Sequence, residues 1–217
     1  MKHTPRTIAV ASTKGGSGKT SIVAALAAQA VKEGSRVALL DWEPQGSLTL
    51  WWLMRGQPDN PRLVREDDIE PAAAKRSLAG KCDWLFLDTA PAMLDQVELA
   101  IEAADFILIP VLASAFDLVA ARAVVALCGE HGKPFAFVLN RENARREVLN
   151  TSAEAHLRKL GVMLTEHVQD RAVYVSALNK GKTGPEHPDT RQAKEARAEI
   201  EALWVTVKRL ANKAGAR

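Results

Sequence analysis

The chain has 217 residues, of which 47% are hydrophobic and 25% are charged. This is an ordinary globular mixture, and it excludes disorder as a description of the whole chain. The formal net charge of +3 is too small to argue for a nucleic-acid partner by itself. The charge is unevenly spread, however. Residues 1–140 hold 14 basic and 16 acidic side chains, whereas residues 141–217 hold 15 basic and 10 acidic ones. The basic C-terminal third fits an anionic partner, and equally a solvated basic face.

The length suits one domain spanning residues 1–217. The two cysteines, Cys82 and Cys128, are too few for a disulfide framework or a four-ligand metal site. Cys128 lies in an apolar helical pattern and reads as a small buried hydrophobe. The N-terminus has only a short apolar run before Thr13 and Lys14 and does not read as a signal peptide. No apolar run approaches the roughly 20 residues that a membrane-spanning helix needs. A cytoplasmic location is expected.

Short apolar runs alternate with amphipathic stretches. Ile8–Ser12 reads as the first strand, and the Ala-rich Ser21–Lys32 as the helix after it. Arg36–Asp41 reads as the second strand. The polar, proline-containing residues 55–71 read as a surface loop with a short edge strand. Trp84–Asp88, Phe106–Val111 and Phe135–Asn140 read as further strands, with helices at Leu94–Ala104 and Asp117–Glu130. These strands are continuous apolar runs, the mark of burial on both faces. Residues 180–190 form a second loop-like break, and a last helix is expected over Asp189–Lys213. The alternation predicts an α/β fold with a mostly parallel central sheet and helices on both faces. Ligands in such sheets bind beyond the carboxyl ends of the strands.

The strongest motif sits there. Thr13-Lys14-Gly15-Gly16-Ser17-Gly18-Lys19-Thr20 follows the first strand and precedes a helix, the context of a P-loop NTPase. Gly15, Gly16 and Gly18 have no Cβ, so the backbone can bend and aim N–H groups at phosphate oxygens. Ser17 and Ser21 belong to the same cradle. Lys19 is placed to reach the outer phosphates of ATP, and the Thr20 hydroxyl to ligate Mg²⁺. Where the usual pattern has glycine, position 13 is Thr, and a second lysine, Lys14, lies inside the loop. Gly181-Lys182-Thr183 repeats three of the letters, but Gly184-Pro185 follows where a helix should start, so it is rejected as a phosphate loop.

Two groups of carboxylates follow strands. Asp41 and Glu43 stand at alternate positions after the second strand, and either can orient or deprotonate an attacking water. Asp88 ends the apolar run Trp84-Leu85-Phe86-Leu87, a Walker B pattern that supplies an acid for Mg²⁺. An apolar strand ending in Asp is common, so its weight comes from the phosphate loop beside it.

KGGSGKT resembles the deviant Walker A motif of the ParA/MinD family of ATPases. The resemblance covers nearly the whole chain. It includes Asp41-Trp42-Glu43-Pro44-Gln45-Gly46, the Asp88-Thr89-Ala90-Pro91 segment and Val138-Leu139-Asn140-Arg141. It implies that Lys14 reaches across a homodimer to the partner subunit's nucleotide, so that two subunits sandwich two ATP molecules. It further implies that Glu43 is the water-orienting acid, one methylene longer than the usual Asp, with Asp41 supporting the metal or the loop. Asn140 is then the residue that recognises adenine.

Three functions stay open under this resemblance. A ParA-type ATPase would hold DNA nonspecifically, associate with the nucleoid and release on stimulation by a ParB-like or other adaptor protein. Lys180, Lys182, Arg191, Lys194, Arg197, Lys208 and Arg209 are its candidate DNA contacts. A MinD-type ATPase would need a C-terminal amphipathic helix with large apolar residues. The tail KRLANKAGAR has Leu210 alone, so no membrane contact is expected. A metabolic enzyme of the same fold is the third.

Overall fold

The computed structural model describes residues 3–64, 69–91, 93–188 and 190–215. The elements run in the order β1 (Arg6–Val10), α1 (Lys19–Lys32), β2 (Val37–Trp42), α2 (Ser47–Met54), β3 (Arg62–Leu63) and α3 (Pro71–Ser77). They continue with β4 (Trp84–Thr89), α4 (Leu94–Ala103), β5 (Phe106–Val111), α5 (Ala115–Glu130), β6 (Phe135–Glu142) and α6 (Glu147–Leu157). The chain then forms β7 (Val162–Met163), β8 (Val168–Gln169), α7 (Ala172–Leu178) and α8 (Arg191–Ala214). Short 3₁₀ turns stand at Ala144–Arg146 and Gly184–Glu186.

The strands form one eight-stranded sheet in the order β3-β2-β4-β1-β5-β6-β7, with β8 also on β6. All the pairings are parallel. The continuous apolar runs follow from this, because both faces of the sheet are covered. Successive side chains point to opposite faces and enter two cores. Ile8, Val10, Trp84 and Phe86 pack with α1, α2, α7 and α8. Ala9, Leu85, Leu87 and Ile107 pack with α3, α4, α5 and α6. Trp204 of α8 is fully buried, with its ring edge-on to Trp84 at 4.9 Å between centroids. An aromatic pair of this kind adds about 0.5–1.5 kcal/mol beyond its area burial.

The expected strands and helices are present with small shifts at their ends. α1 begins at Lys19 and not at Ser21, because the turn at Gly18 leads straight into the helix. α5 begins at Ala115, where the Ser114 side chain accepts from the Asp117 N–H as a cap. The expected edge strand is β3, two residues long, and residues 65–68 of that loop lie outside the described residues. Asp189 also lies outside them, and α8 starts after the Thr190 cap. Both cysteines are buried, and burial pushes the Cys128 thiol up to about 12.

Candidate nucleotide site

Between β1 and α1 the chain turns through left-handed conformations at Gly16 and Gly18, with φ of 78° and 88°. Only glycine adopts these without strain. Gly18 caps α1 with no side-chain acceptor on the first-turn N–H groups. Those groups point along the helix dipole and suit an anion. A Cβ on Gly18 would stand 2.2 Å from the Asn140 side-chain nitrogen. Asn140, at the end of β6, donates from Nδ2 to the Ser17 carbonyl at 2.6 Å. The loop is thus propped from behind by a strand two places away in the sheet. The fit at position 18 is sterically closed.

The strand register brings the carboxylates to the same place. Asp41 of β2 is the direct neighbour of Asp88 of β4, and Val10 of β1 flanks Asp88 on its other side. The Thr20 hydroxyl donates to Asp88 Oδ2 at 2.6 Å. Asp88 is wholly buried, and its Oδ1 has no hydrogen-bond partner. Burial pushes Asp88 up to about 7, and Thr20 and Lys19 pull in the opposite direction. A buried carboxylate oxygen without a donor, next to a hydroxyl, is a donor set that fits Mg²⁺. Lys19 is also buried. Burial lowers its pKa, against the attraction of Asp88 and Glu43.

Asp41 is engaged with the loop, one of the two roles expected of it. Its Oδ2 accepts from the Thr49 N–H at 2.7 Å and its Oδ1 from the Glu43 N–H at 3.4 Å. It therefore organises the turn that carries Glu43 and leads into α2. Glu43 itself lines a cavity of about 470 Å³ together with Gly15, Gly16, Gly18, Lys19 and Thr20. Trp51, Met54, Val168, Asp170, Tyr174 and Leu178 also line this cavity. An apolar wall with a few polar groups suits a purine base. Asn140, which is buried, and the exposed Arg141 line it as well. Arg141 holds a left-handed φ of 50°, a conformation that costs a non-glycine residue roughly 1–3 kcal/mol and clusters at ligand sites.

Apart from Asn140, the α2 and β8 part of this lining carries no sequence signal. α2 is apolar all round, so no helical stripe announced it. Val168, Gln169 and Asp170 belong to a two-residue strand and its exit. Lys14 does not line this cavity. Its ammonium turns to Asp117 at 2.6 Å, beside a second cavity of about 340 Å³ that Arg141 and Arg146 also line.

The nucleotide-binding domain model described as CobQ/CobB/MinD/ParA matches residues 8–184. The chain belongs to this family. It is therefore a P-loop nucleotide-binding ATPase of the ParA/MinD type. It is 34% identical over 185 residues to the maintenance of carboxysome distribution protein A of Halothiobacillus neapolitanus, covering 81% of this chain and 84% of that one. The ATP complex of a Cyanothece McdA variant superposes with a TM-score of 0.70 at 19% identity, covering 93% of this chain and 97% of the other. MinD of Pyrococcus horikoshii, solved with Mg-ADP, superposes with a TM-score of 0.72 at 18% identity, covering 97% and 98%. At such identities the last two establish the shared fold.

The basic candidates are scattered. Lys180 and Lys182 are exposed in the turn after α7, where Gly181 packs on the end of α2 and Trp51 donates to the Lys182 carbonyl at 3.1 Å. The second Gly-Lys-Thr is thus a docking turn and not a phosphate loop. Arg191, Lys194 and Arg209 are exposed on α8. Arg191 pairs with Glu195 at 2.8 Å. Lys208 pairs with Glu33 at 2.9 Å, and Arg197 donates to the Pro185 carbonyl at 3.0 Å. These last two positions hold α8 in place.

Proposed function

We propose that this chain is a single-domain ParA-type ATPase that dimerises around two ATP molecules, holds DNA nonspecifically and positions a cargo. The reading is carried by the two lysines of one phosphate loop facing different cavities. Lys19 serves the subunit's own nucleotide. Lys14, turned away from it toward the second cavity and paired with Asp117, is the lysine placed to serve a second subunit. The loop N–H groups hold the phosphates, and Lys19 offsets their charge. Thr20 and Asp88 would hold Mg²⁺, which when bound supplies charge neutralisation between the outer phosphates. Glu43 orients the attacking water and accepts its proton. Asn140 fixes the loop and lines the same cavity, where it would meet the base.

The cargo is supported by the Halothiobacillus relative, whose name describes carboxysome distribution. A large protein assembly is therefore the favoured cargo, and a plasmid or chromosome the alternative. A ParB-like or other adaptor would stimulate hydrolysis. Association with the nucleoid follows from DNA binding. Against a MinD-like membrane role, Leu203, Trp204, Val207 and Ala211 of α8 are buried against the body of the protein. Among the described residues no helix is long and apolar enough to cross a membrane.

The test is co-sedimentation with DNA of arbitrary sequence and, in parallel, with anionic liposomes. DNA binding should need ATP and Mg²⁺, weaken with ADP and fall steeply with salt. Binding that ignores nucleotide or salt would sink the reading, and binding to liposomes in place of DNA would favour the MinD-like one.

A further inference from the structure

We infer that Glu142, Glu154 and His167 form a binding site for a divalent transition-metal ion of the zinc class. The three residues come from the end of β6, from α6 and from the stretch between β7 and β8. None of them lines the nucleotide cavity, and none belongs to the Mg²⁺ donor set of Thr20 and Asp88. The site therefore stands apart from the ATPase reading.

His167 lies between the two carboxylates. Its Nδ1 faces Glu142 Oε2 at 3.2 Å and its Nε2 faces Glu154 Oε1 at 3.6 Å. One ligand atom from each of the three residues lies within 4.8 Å of the other two. The side chains of His167, Glu142 and Glu154 are 17%, 15% and 23% exposed, so water screens them only in part. His167 Nε2 is buried and has no hydrogen-bond partner. Its separation from Glu154 Oε1 is too long for a hydrogen bond. Two ligands of one tetrahedral zinc ion, each bound at about 2.0–2.2 Å, stand roughly 3.3–3.6 Å apart. The ring nitrogen and the carboxylate oxygen are thus spaced as ligands of a shared ion.

The carboxylates are held from outside. Glu142 Oε1 accepts from Asn150 Nδ2 at 3.3 Å, and Glu142 Oε2 accepts from the Gln169 amide. Glu154 Oε2 accepts from Arg158 at 3.2 Å, which leaves Oε1 turned to His167. Outer partners of this kind orient the ligands of a metal. The donor types select the ion. Imidazole with carboxylates suits Zn²⁺ and its transition-metal neighbours, whereas Mg²⁺ takes oxygen ligands.

The position gives the ion a structural role. β8 pairs with β6 at Asn140 and Glu142, with a register shift between them, where Arg141 takes its left-handed φ. His167 immediately precedes Val168, which lines the nucleotide cavity together with Gln169 and Asp170. An ion on the three residues ties α6 to the β6–β8 pair that supplies this lining.

The experiment uses the full chain stripped with EDTA and kept free of nucleotide. It is titrated with Zn²⁺ against a chromophoric chelator, in the presence of millimolar Mg²⁺. Wild type should take up one equivalent of Zn²⁺ and melt at a higher temperature when loaded. His167→Gln and Glu154→Gln should each weaken binding by about a hundredfold or more, since loss of an outer partner alone costs about 10–100-fold. Each should also lose the rise in melting temperature. Asp88→Asn should keep both. If one ligand variant misfolds, the other carries the reading. No stoichiometric uptake by wild type, or uptake unchanged in a folded ligand variant, would overturn the site. Loss of uptake in Asp88→Asn would move the ion to the phosphate loop and overturn it as well. Each of these outcomes leaves the ATPase reading where it stood.

Discussion

The side-chain amide of Asn140 donates to the Ser17 carbonyl at 2.6 Å, joining residues 123 positions apart. The same amide closes the space a Cβ on Gly18 would need. Asn140 is thus a structural part of the phosphate loop as well as a residue of the cavity lining. Asn140→Ala removes a buried bond worth about 1–3 kcal/mol. At roughly 2–4 °C per kcal/mol for a chain of this size, the melting temperature should drop by several degrees. ATP affinity should fall about tenfold or more by fluorescent-nucleotide titration. Gly18→Ala meets both the Asn140 contact and the left-handed φ, and should abolish nucleotide binding. Near-wild-type affinity in either variant would separate Asn140 from the loop.

Asp88 should govern Mg²⁺ dependence. Its buried Oδ1 lacks a donor, and its Oδ2 holds Thr20. Asp88→Asn removes a buried charge, so the nucleotide-free protein should melt higher than wild type. The gain in ATP affinity on adding Mg²⁺ should disappear, measured by titration with Mg²⁺ against EDTA. A preserved Mg²⁺ effect would move the metal to other residues.

Glu43 should separate binding from hydrolysis. Its backbone turn is fixed by Asp41, while its carboxylate lines the nucleotide cavity. Glu43→Ala should leave ATP binding within a few-fold of wild type. Turnover should drop by about a hundredfold or more, the usual scale for loss of a general base. Steady-state phosphate release reads the outcome. Unchanged turnover would send the water-positioning role to another group.

The Glu186–Arg55 contact should contribute to acid sensitivity. Burial alone would raise the Glu186 pKa. The Arg55 bonds and charge, with the Thr183 bonds, outweigh it and hold the carboxylate below its usual 4.5. A depressed folded pKa gives stability that is present above the unfolded value and lost as pH falls through the folded one. The wild-type melting temperature should therefore fall below about pH 4.5, the unfolded value for Glu. Glu186→Gln should start lower at neutral pH and show a flatter decline. A parallel decline in both proteins would show that this pair has no part in acid sensitivity. The pair ties the end of α2 to the turn at Thr183–Glu186, so the same variant should loosen the α2 wall of the cavity.

Legibility differed from element to element for physical reasons. β1, β4, β5 and β6 are apolar on both sides because helices cover both faces, and such runs stand out in any sequence. α8 was visible because one stripe, from Ala193 through Trp204 to Ala211, packs inward. α2 was not, because its sequence Ser-Leu-Thr-Leu-Trp-Trp-Leu-Met carries apolar side chains on every side. Leu48, Trp51 and Trp52 enter the core, while Leu50, Met54 and again Trp51 line the nucleotide cavity. A side chain that faces a ligand and one that faces the core look alike in composition.

What the order of residues decided alone is the phosphate loop. Its glycines, lysines and hydroxyls act through their own backbone conformation and the helix that follows, and these are local properties. The parallel sheet was decided in the same way, through runs and alternation. Only the tertiary structure decided what each charge answers to. The register of β2 against β4 sets Asp41 beside Asp88 and leaves the first to hold a turn. β6 brings Asn140 under Ser17, and α5 brings Asp117 to Lys14. Such pairs join residues a hundred or so positions apart. Their chemistry depends on burial, which no stretch of sequence carries by itself.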